Sequence, residues 1–288
     1  MTTRVVLGAV VLGVLALAVV VATGRAPEDE LACGKGYFPR ELRCCVSPTG
    51  PCTTGPSRCP TPLEPGPRGC VAPAHRVRIP ETTVLVGPSD WEAEGRVTPR
   101  HVHVASFEID AFEAQVDEVA CPSCVKPNAA LFASGDPARA MGGLSLSEAR
   151  EHCTKKGGRL PTDDEWLVAA AGAKPRRYPW GDTGAVCRRG AWGLAEGPCA
   201  HGAAGPDTVG AHPDGDTDLG VHDLAGNVAE WVELGGKPLG PRARLRGGSY
   251  ATVLATELRT WASREVDGAA RPEAGVRCVY DALDSGKP

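Results

Sequence analysis

The chain contains twelve cysteines, and two of them have the spacing that redox enzymes use. Cys121 and Cys124 are separated by two residues, and such a pair is redox-active where it opens a helix after a strand. Pro122 within the pair and Pro127 just after it do not provide that context. We therefore expect a structural or inert pair of cysteines at this position.

Two histidines lie where one metal ion could reach both. Val102, Val104 and the segment 107–109 predict a strand, and the two-residue period of a strand places His101 and His103 together on its other face. Two imidazoles on one face can ligate a metal. No third ligand lies nearby in the sequence, so a solvent-facing pair is the favoured interpretation.

Alternating acidic residues precede a glycine near position 220. Asp214, Asp216 and Asp218 supply carboxylates at a spacing that calcium loops use. An EF-hand loop has a glutamate at its twelfth position, where this chain has Ala225. The sequence therefore favours a solvated acidic turn over a calcium loop at this position.

The chain begins with an uninterrupted apolar run over residues 5–22. A secretory signal carries roughly 7–15 apolar residues, and a membrane-spanning helix needs roughly 17–25. We therefore interpret residues 1–24 as a signal peptide or a retained membrane anchor, the anchor being favoured. The remainder is then extracytoplasmic, either anchored through residues 5–22 or secreted, and its many cysteines are expected to form disulfides.

Six cysteines crowd into the stretch from Cys33 to Cys70, between prolines and glycines and with few large apolar residues. So short a segment buries too little surface to fold without covalent bridges. Residues 25–74 are therefore predicted to form a small disulfide-rich module and linker, whose connectivity stays open. Metal binding by this module is the less favoured alternative.

Two helices have clear start signals. Ser145 followed by Glu148, and Thr162 followed by Glu165, are capping boxes. The first helix is expected to run through Cys153 to the glycines at 157–158, and the second to about Ala171. Trp166, Ala169 and Ala170 share one face of the second helix and should pack inward. Little periodicity follows Gly172, and 36 Gly with 26 Pro indicate a loop-rich fold.

A set of short sequence blocks resembles a known family. In chain order they are FEIDAFE at 107–113, GRLPTDDEW at 158–166, YPWGD at 178–182, GVHDLAGNVAEW at 220–231, RGGSY at 246–250 and GVRC at 275–278. They resemble, in the same order, the signatures of the formylglycine-generating enzyme (sulfatase-modifying factor) family. The resemblance covers about residues 75–282, so we predict a domain of this kind over residues 75–288.

The resemblance implies an α+β, loop-rich formylglycine-generating-enzyme fold related to C-type lectins, with short antiparallel sheets, two helices and long ordered loops. It also implies a disulfide between Cys153 and Cys278 that ties the first helix to the last strand. Cys187 and Cys199 would then pair locally across the Trp192 loop, and Cys121 with Cys124 would be the remaining pair.

A structural calcium ion is a further implication of the resemblance. The family's site uses an Asn or Asp side chain, two backbone carbonyls and a Glu, and calcium takes six to eight such oxygens. Those roles fall on Asp223, Gly226, Val228 and Glu230. The alternative is that the two acids only cap turns. A second family site is not expected, because Gly190 stands at its first Asn.

The residues that carry the family's chemistry are absent. The family's enzymes hold copper(I) with two cysteine thiolates and use oxygen to convert a substrate cysteine to formylglycine. Counting from Ser249, Thr252 and Glu257 stand at the two thiolate positions, and no cysteine occurs between residues 199 and 278. Soft thiolates select copper(I), whereas hydroxyl and carboxylate oxygens do not. We therefore expect neither copper nor formylglycine formation.

A degenerate cleft of Ser249, Thr252, Glu257 and Arg259 remains in the place of the catalytic site. Glu257 is a candidate general base or hard-metal ligand. The alternative, which we favour, is a surface salt bridge between Glu257 and an arginine. No cofactor other than calcium is expected.

The favoured function is an exported or membrane-anchored, calcium-supported module that is non-catalytic and presents a cleft to a peptide, a glycan or an envelope protein. The alternative is a diverged enzyme of the family with different chemistry around Ser249, Thr252 and Glu257. A third possibility is a structural envelope component that makes its contacts through the cysteine-rich module. A net charge of −4 without a basic stripe gives no indication of nucleic acid, and none is expected as a partner.

Overall fold

The structure, a computed structural model, describes residues 38–40, 43–45, 59–66, 69–87, 98–119, 135–174, 176–234 and 242–282. The chain divides into two compact units, residues 1–57 and 58–288. The first contains an antiparallel pair of strands, β1 (Phe38–Arg40) and β2 (Arg43–Cys45). The second holds the helices and the other strands of the described part.

Several predictions concern residues outside the described ranges. They are the apolar segment 5–22, the Cys121–Cys124 pair and the first bridges of the cysteine-rich module. Among the described residues, no helix combines the length and the apolar character needed to cross a bilayer.

The strands of the second unit are short. They are β3 (Glu64–Pro65), β4 (Cys70–Val71), β5 (Arg76–Ile79), β6 (Thr82–Val86), β7 (Arg100–Val104), β8 (Phe107–Asp110), β9 (Ala229–Val232), β10 (Arg242–Arg246), β11 (Ser263–Asp267), β12 (Ala274–Gly275) and β13 (Val279–Asp281). They pair as a four-stranded sheet in the order β11-β10-β9-β12, a three-stranded sheet β13-β8-β5, and the pairs β6-β7 and β3-β4. The pairs are antiparallel except β12 with β9.

The alternation of side chains along β7 explains the histidine pair. Val102 and Val104 are buried, whereas His101 and His103 are exposed on the opposite face, as predicted. His103 Nδ1 lies 2.9 Å from the hydroxyl of Thr83 on β6. The single strand expected to run on to residue 109 is wrong: the chain breaks before β8, because β7 pairs with β6 whereas β8 pairs with β5 and β13.

Both capping boxes are confirmed. Helix α1 (Leu146–Lys155) begins where the Ser145 hydroxyl accepts from Glu148 N, and helix α2 (Asp163–Ala171) begins with the same exchange between Thr162 and Glu165. Each glutamate side chain in turn accepts from the N-cap backbone N–H at 2.8 Å. Helix α2 is buried on more than the predicted face, since Leu167, Val168 and Ala171 are buried beside Trp166 and the two alanines.

The stretch after α2 is irregular, as predicted, and contains two short 3-10 turns, Cys187–Arg189 and Pro213–Gly215. Farther along, however, β9, β10 and β11 form a sheet that the pattern did not indicate. All four residues of β9 are buried. A strand with both faces covered shows no alternation of polar and apolar residues, so periodicity does not detect it.

Candidate binding cleft

A cavity of about 340 Å³ opens beside the turn that follows β10. Its wall is formed by the end of β10, the turn itself, the 3-10 helix Ala255–Leu258 and the start of β11. Small-molecule and cofactor sites occupy roughly 300–1,000 Å³, so this volume is enough for a side chain or a small ligand. Its polar lining includes Ser249, Thr252, Glu257, Arg264 and Glu273.

The turn that shapes the cavity depends on glycine and on two hydroxyls. Gly248 has φ +69°, and a Cβ on it would lie 2.7 Å from Leu258 Cδ2, so a larger residue would disrupt the wall. The Thr252 hydroxyl accepts a hydrogen bond from Ser249 N at 2.9 Å, and the Ser249 hydroxyl accepts from Ala251 N at 3.3 Å. Both hydroxyls are therefore acceptors that hold the turn.

The charges in the lining are unevenly compensated. Arg264 donates to Glu273 at 2.6 Å across the cavity wall. Glu257 is exposed and makes no ion pair with any residue that the structure describes. The expected salt bridge between Glu257 and an arginine is therefore not formed within the described part. Arg259, predicted to share the cleft, is buried behind the wall and does not line the cavity.

A buried arginine fixes the floor of the cleft. Arg246 on β10 binds the two carboxylate oxygens of Asp163 at 2.7 and 2.8 Å and donates to the carbonyls of Thr260 and Ala262. Burial opposes ionisation of Asp163, but the hydrogen bonds and charge of Arg246 and Arg244 outweigh it and lower its pKa. This bidentate pair ties the first turn of α2 to the sheet, and the positive charge of Arg246 is already neutralised.

A second buried arginine lies where β8, β9 and the loop before β9 meet. Arg277 is fully buried, and its Nε and Nη2 donate to Glu230 Oε1 at 3.0 and 2.8 Å. Its other hydrogen bonds go to the carbonyls of Asp110, Ala111 and His222. Every N–H of the guanidinium is thereby used. Arg277 positions three chain segments but does not face the cavity.

Two further carboxylates are buried near this ion pair. Glu113 accepts from Asn227 Nδ2 at 2.6 Å and from Val228 N at 3.1 Å. Burial, and then the negative charges of Asp223 and Glu230, raise the pKa of Glu113 well above its usual range. Three buried carboxylates thus lie near the guanidinium of Arg277, and His212 also lies close enough to Asp223 for its charge to oppose the rise that burial causes in the pKa of that carboxyl.

A comparison with protein-family models identifies the family of the second compact unit. Residues 64–282 match the model described as the sulfatase-modifying factor enzyme 1-like domain. The match covers well over half of the chain. The chain belongs to the formylglycine-generating, sulfatase-modifying factor family.

Three relatives show how the family varies. A hercynine oxygenase of Mycolicibacterium thermoresistibile is 30% identical over 168 residues, 48% of this chain and 35% of that protein. An inactive C-alpha-formylglycine-generating enzyme 2 of Bos taurus is 40% identical over 93 residues, 31% of each chain. The solved structure of PvdO from Pseudomonas aeruginosa has a TM-score of 0.55 and 16% identity, and the alignment covers 72% of this chain and 94% of that one. This chain thus spans about a third of the two curated relatives, one named as an oxygenase and one as inactive.

The family's calcium position contains an unsatisfied oxygen. Asp223 has a positive φ of 57°, and its Oδ2 accepts from Gly210 N at 2.6 Å. Its Oδ1 is buried and has no hydrogen-bond partner among the described residues. Such an oxygen is costly unless a donor or a cation satisfies it. Asp223 therefore fits the role of a calcium ligand.

Glu230 is more heavily engaged. Its Oε1 accepts two bonds from Arg277, while Oε2 accepts from Trp166 Nε1 at 2.6 Å and keeps one lone pair. Within the described ranges, no three His, Cys, Asp or Glu side chains come together to hold a metal. An ion here would therefore rely on backbone carbonyls, the role that the family assigns to Gly226 and Val228.

The acidic turn upstream is held by basic side chains. Its carboxylates lie close to three such partners: Asp214 to Arg188 at 3.2 Å, Asp216 to His222 at 2.8 Å, and Asp218 to Arg176. These contacts join the loop to its neighbours, although Asp216 Oδ1 is buried and has no hydrogen-bond partner among the described residues.

Disulfides connect elements that are distant in sequence. Cys153 in α1 is bonded to Cys278 just before β13, a separation of 125 residues, and both are fully buried. Cys187 is bonded to Cys199, 12 residues away. A third bridge, Cys59–Cys70, lies beside β3 and β4. The first of these fixes α1 against the segment before β13 that carries Arg277.

Proposed function

We propose that residues 64–282 are a non-catalytic member of the formylglycine-generating family that uses its cleft to bind a segment of another polypeptide. One observation carries the proposal: the cavity is open, while Thr252 and Glu257 supply only oxygen where the family's enzymes place copper-binding thiolates. Those enzymes act on a cysteine-containing peptide, so the resemblance favours a polypeptide as the occupant of this cleft. The fold that the resemblance implies is related to that of C-type lectins, and lectin-like folds are often used for binding.

An enzyme with different chemistry is the second candidate, and the unpaired carboxylate of Glu257 in the cavity is the observation that favours it. The other groups argue against it. The hydroxyls of Ser249 and Thr252 serve as acceptors within the turn, and no described lining residue is a histidine or a cysteine. Without a base beside them, these hydroxyls are weak nucleophiles.

Calcium and an extracytoplasmic location are parts of the same proposal. The orphaned oxygen of Asp223 and the excess of buried carboxylates around Arg277 support a calcium ion that orders the loops before β9. The disulfides support an oxidising compartment, reached through the apolar segment 5–22 as a membrane anchor or a secretory signal.

A direct experiment tests whether the cleft lacks formylglycine-forming activity because its two thiolates are missing. The native protein, incubated with copper, oxygen and a sulfatase-type cysteine peptide, is expected to form no formylglycine, which mass spectrometry would detect. The double substitution Thr252→Cys/Glu257→Cys is expected to gain copper(I) binding, because it restores two soft ligands. The matched variant Thr252→Ser/Glu257→Gln should bind no copper(I).

Two results would overturn the proposal in different ways. Formylglycine formed by the native protein would show that the oxygen-lined cleft is an active centre. Failure of a folded Thr252→Cys/Glu257→Cys variant to bind copper(I) would show that these positions are not those of the family's thiolates. Retention of the fold in each variant is checked by thermal unfolding.

A further inference from the structure

The cleft retains one negative charge after its internal pairs are formed. Arg246 binds Asp163, which Arg244 also binds while it pairs with Glu265, and Arg264 binds Glu273. Each described arginine of the lining therefore already has a carboxylate partner. Glu257 lines the same cavity and has no such partner among the residues that the structure describes. The cavity is thus complementary to a ligand with a single positive charge.

An apolar surface adjoins this carboxylate. Val253 is 50% exposed and Leu254 is 56% exposed, although both are large apolar residues, and Val253 lines the cavity. They follow directly on Thr252, so an apolar contact and an unpaired carboxylate lie at the same mouth. A lysine or arginine side chain has the matching form, an apolar stem that ends in a cationic head. Leu254 extends the apolar surface beyond the cavity, which favours a polypeptide over a free amine.

We propose that the cleft recognises a polypeptide segment through one lysine or arginine, whose cationic head pairs with Glu257 while its stem packs against Val253. This inference rests on the proposed binding function and names the ligand chemistry of the same site. The head group would occupy the region that the second copper-binding thiolate occupies in the family's enzymes.

The experiment uses the full chain and a positional-scanning library of acetylated, amidated hexapeptides. We expect lysine or arginine to be selected at one position. The selected arginine peptide is then compared with its citrulline analogue, which keeps the shape and removes the charge. The loss of one charge-assisted hydrogen bond predicts binding about tenfold weaker for citrulline, measured by calorimetry.

The protein variant provides the reciprocal measurement. Glu257→Gln is expected to weaken the arginine peptide about tenfold and to abolish the preference over citrulline. Because Glu257 is exposed, this change should leave thermal unfolding unaltered. Glu81→Gln is the matched control, since Glu81 is an exposed glutamate on the turn between β5 and β6, outside the cavity lining. It should bind like the native protein.

The outcomes distinguish the binding of a polypeptide from the recognition of its cationic side chain. If no library member binds, the proposed binding function is overturned together with the inference. If peptides bind without a preference for lysine or arginine, or if Glu257→Gln retains full affinity, the cationic recognition is overturned and the binding cleft stands.

Discussion

Replacement of Arg277 by methionine is expected to lower the free energy of unfolding by about 3–5 kcal/mol, because it removes one partner of a buried ion pair. Glu230 would then lose its ion-pair partner, Glu113 and Asp223 would lose the nearby positive charge of Arg277, and three backbone carbonyls would lose their donors. A typical domain has only about 5–15 kcal/mol of stability. Urea denaturation of the native protein and the variant measures the difference.

The pH dependence identifies the electrostatic part of this loss. Burial and neighbouring carboxylates raise the pKa of Glu113 in the folded state. A carboxyl with a raised pKa binds its proton more tightly in the folded state, so its contribution to stability is lost as the pH rises above its ordinary value. Because the charge of Arg277 lowers the pKa of Glu113, removing it raises that pKa further. The penalty of Arg277→Met should therefore be smaller at about pH 5 than at about pH 8.

Arg277→Lys is the control. It keeps the charge but offers fewer hydrogen-bond donors than a guanidinium, so its loss should be smaller and less dependent on pH. It also supplies a measurable variant if the methionine form does not fold. A methionine variant as stable as the native protein at all pH values would contradict the role given to Arg277.

Removal of the Cys153–Cys278 disulfide by substitution of both cysteines with alanine is expected to cost about 2–5 kcal/mol. The bridge closes a long loop, whose ends are 125 positions apart in the sequence, and it joins α1 to the segment that carries Arg277. Most of the loss is expected to come from the greater conformational freedom of the unfolded chain, with a smaller part from the cavity left in the core.

The shorter bridge is the matched comparison. The double substitution of Cys187 and Cys199 by alanine removes a bridge between ends 12 residues apart. The chain-entropy relation predicts a cost about 2 kcal/mol smaller than for the long bridge. Equal losses for the two pairs, measured by denaturation under the same conditions, would contradict this explanation.

The elements that local patterns determine were predictable from the sequence. The capping boxes at Ser145 and Thr162 specify both helix starts, since the interacting groups lie three residues apart. The alternation along β7 identified the exposed face that carries His101 and His103. In contrast, β9 was missed because it is buried on both faces and carries no alternation.

The contacts among the residues of the cleft were harder to predict from the sequence than the helix starts. The family's order of blocks located Ser249, Thr252 and Glu257, and all three line the cavity. The partner of Arg264, Glu273, and the buried position of Arg259 depend on how β10, β11 and the turn pack together. No local pattern reports such contacts.

The buried charges illustrate the same limit. Arg277 and Glu230 are 47 residues apart in the chain, and Glu113 lies more than a hundred residues before either of them. Each of these residues stands in a recognisable block, but the pairing among blocks arises only in the folded sheet. The contacts of the acidic turn could not be predicted from local patterns either, since the partners of Asp214, Asp216 and Asp218 come from different loops.

We propose that an oxygen-lined binding cleft stands in this protein where the family's enzymes hold copper. The metal content of the full chain, purified with its disulfides intact and without added metal, tests it most directly. We expect about one calcium ion per chain, held at Asp223, with copper and iron at background levels. Copper or iron bound in stoichiometric amount would contradict the claim and would identify an active metal centre.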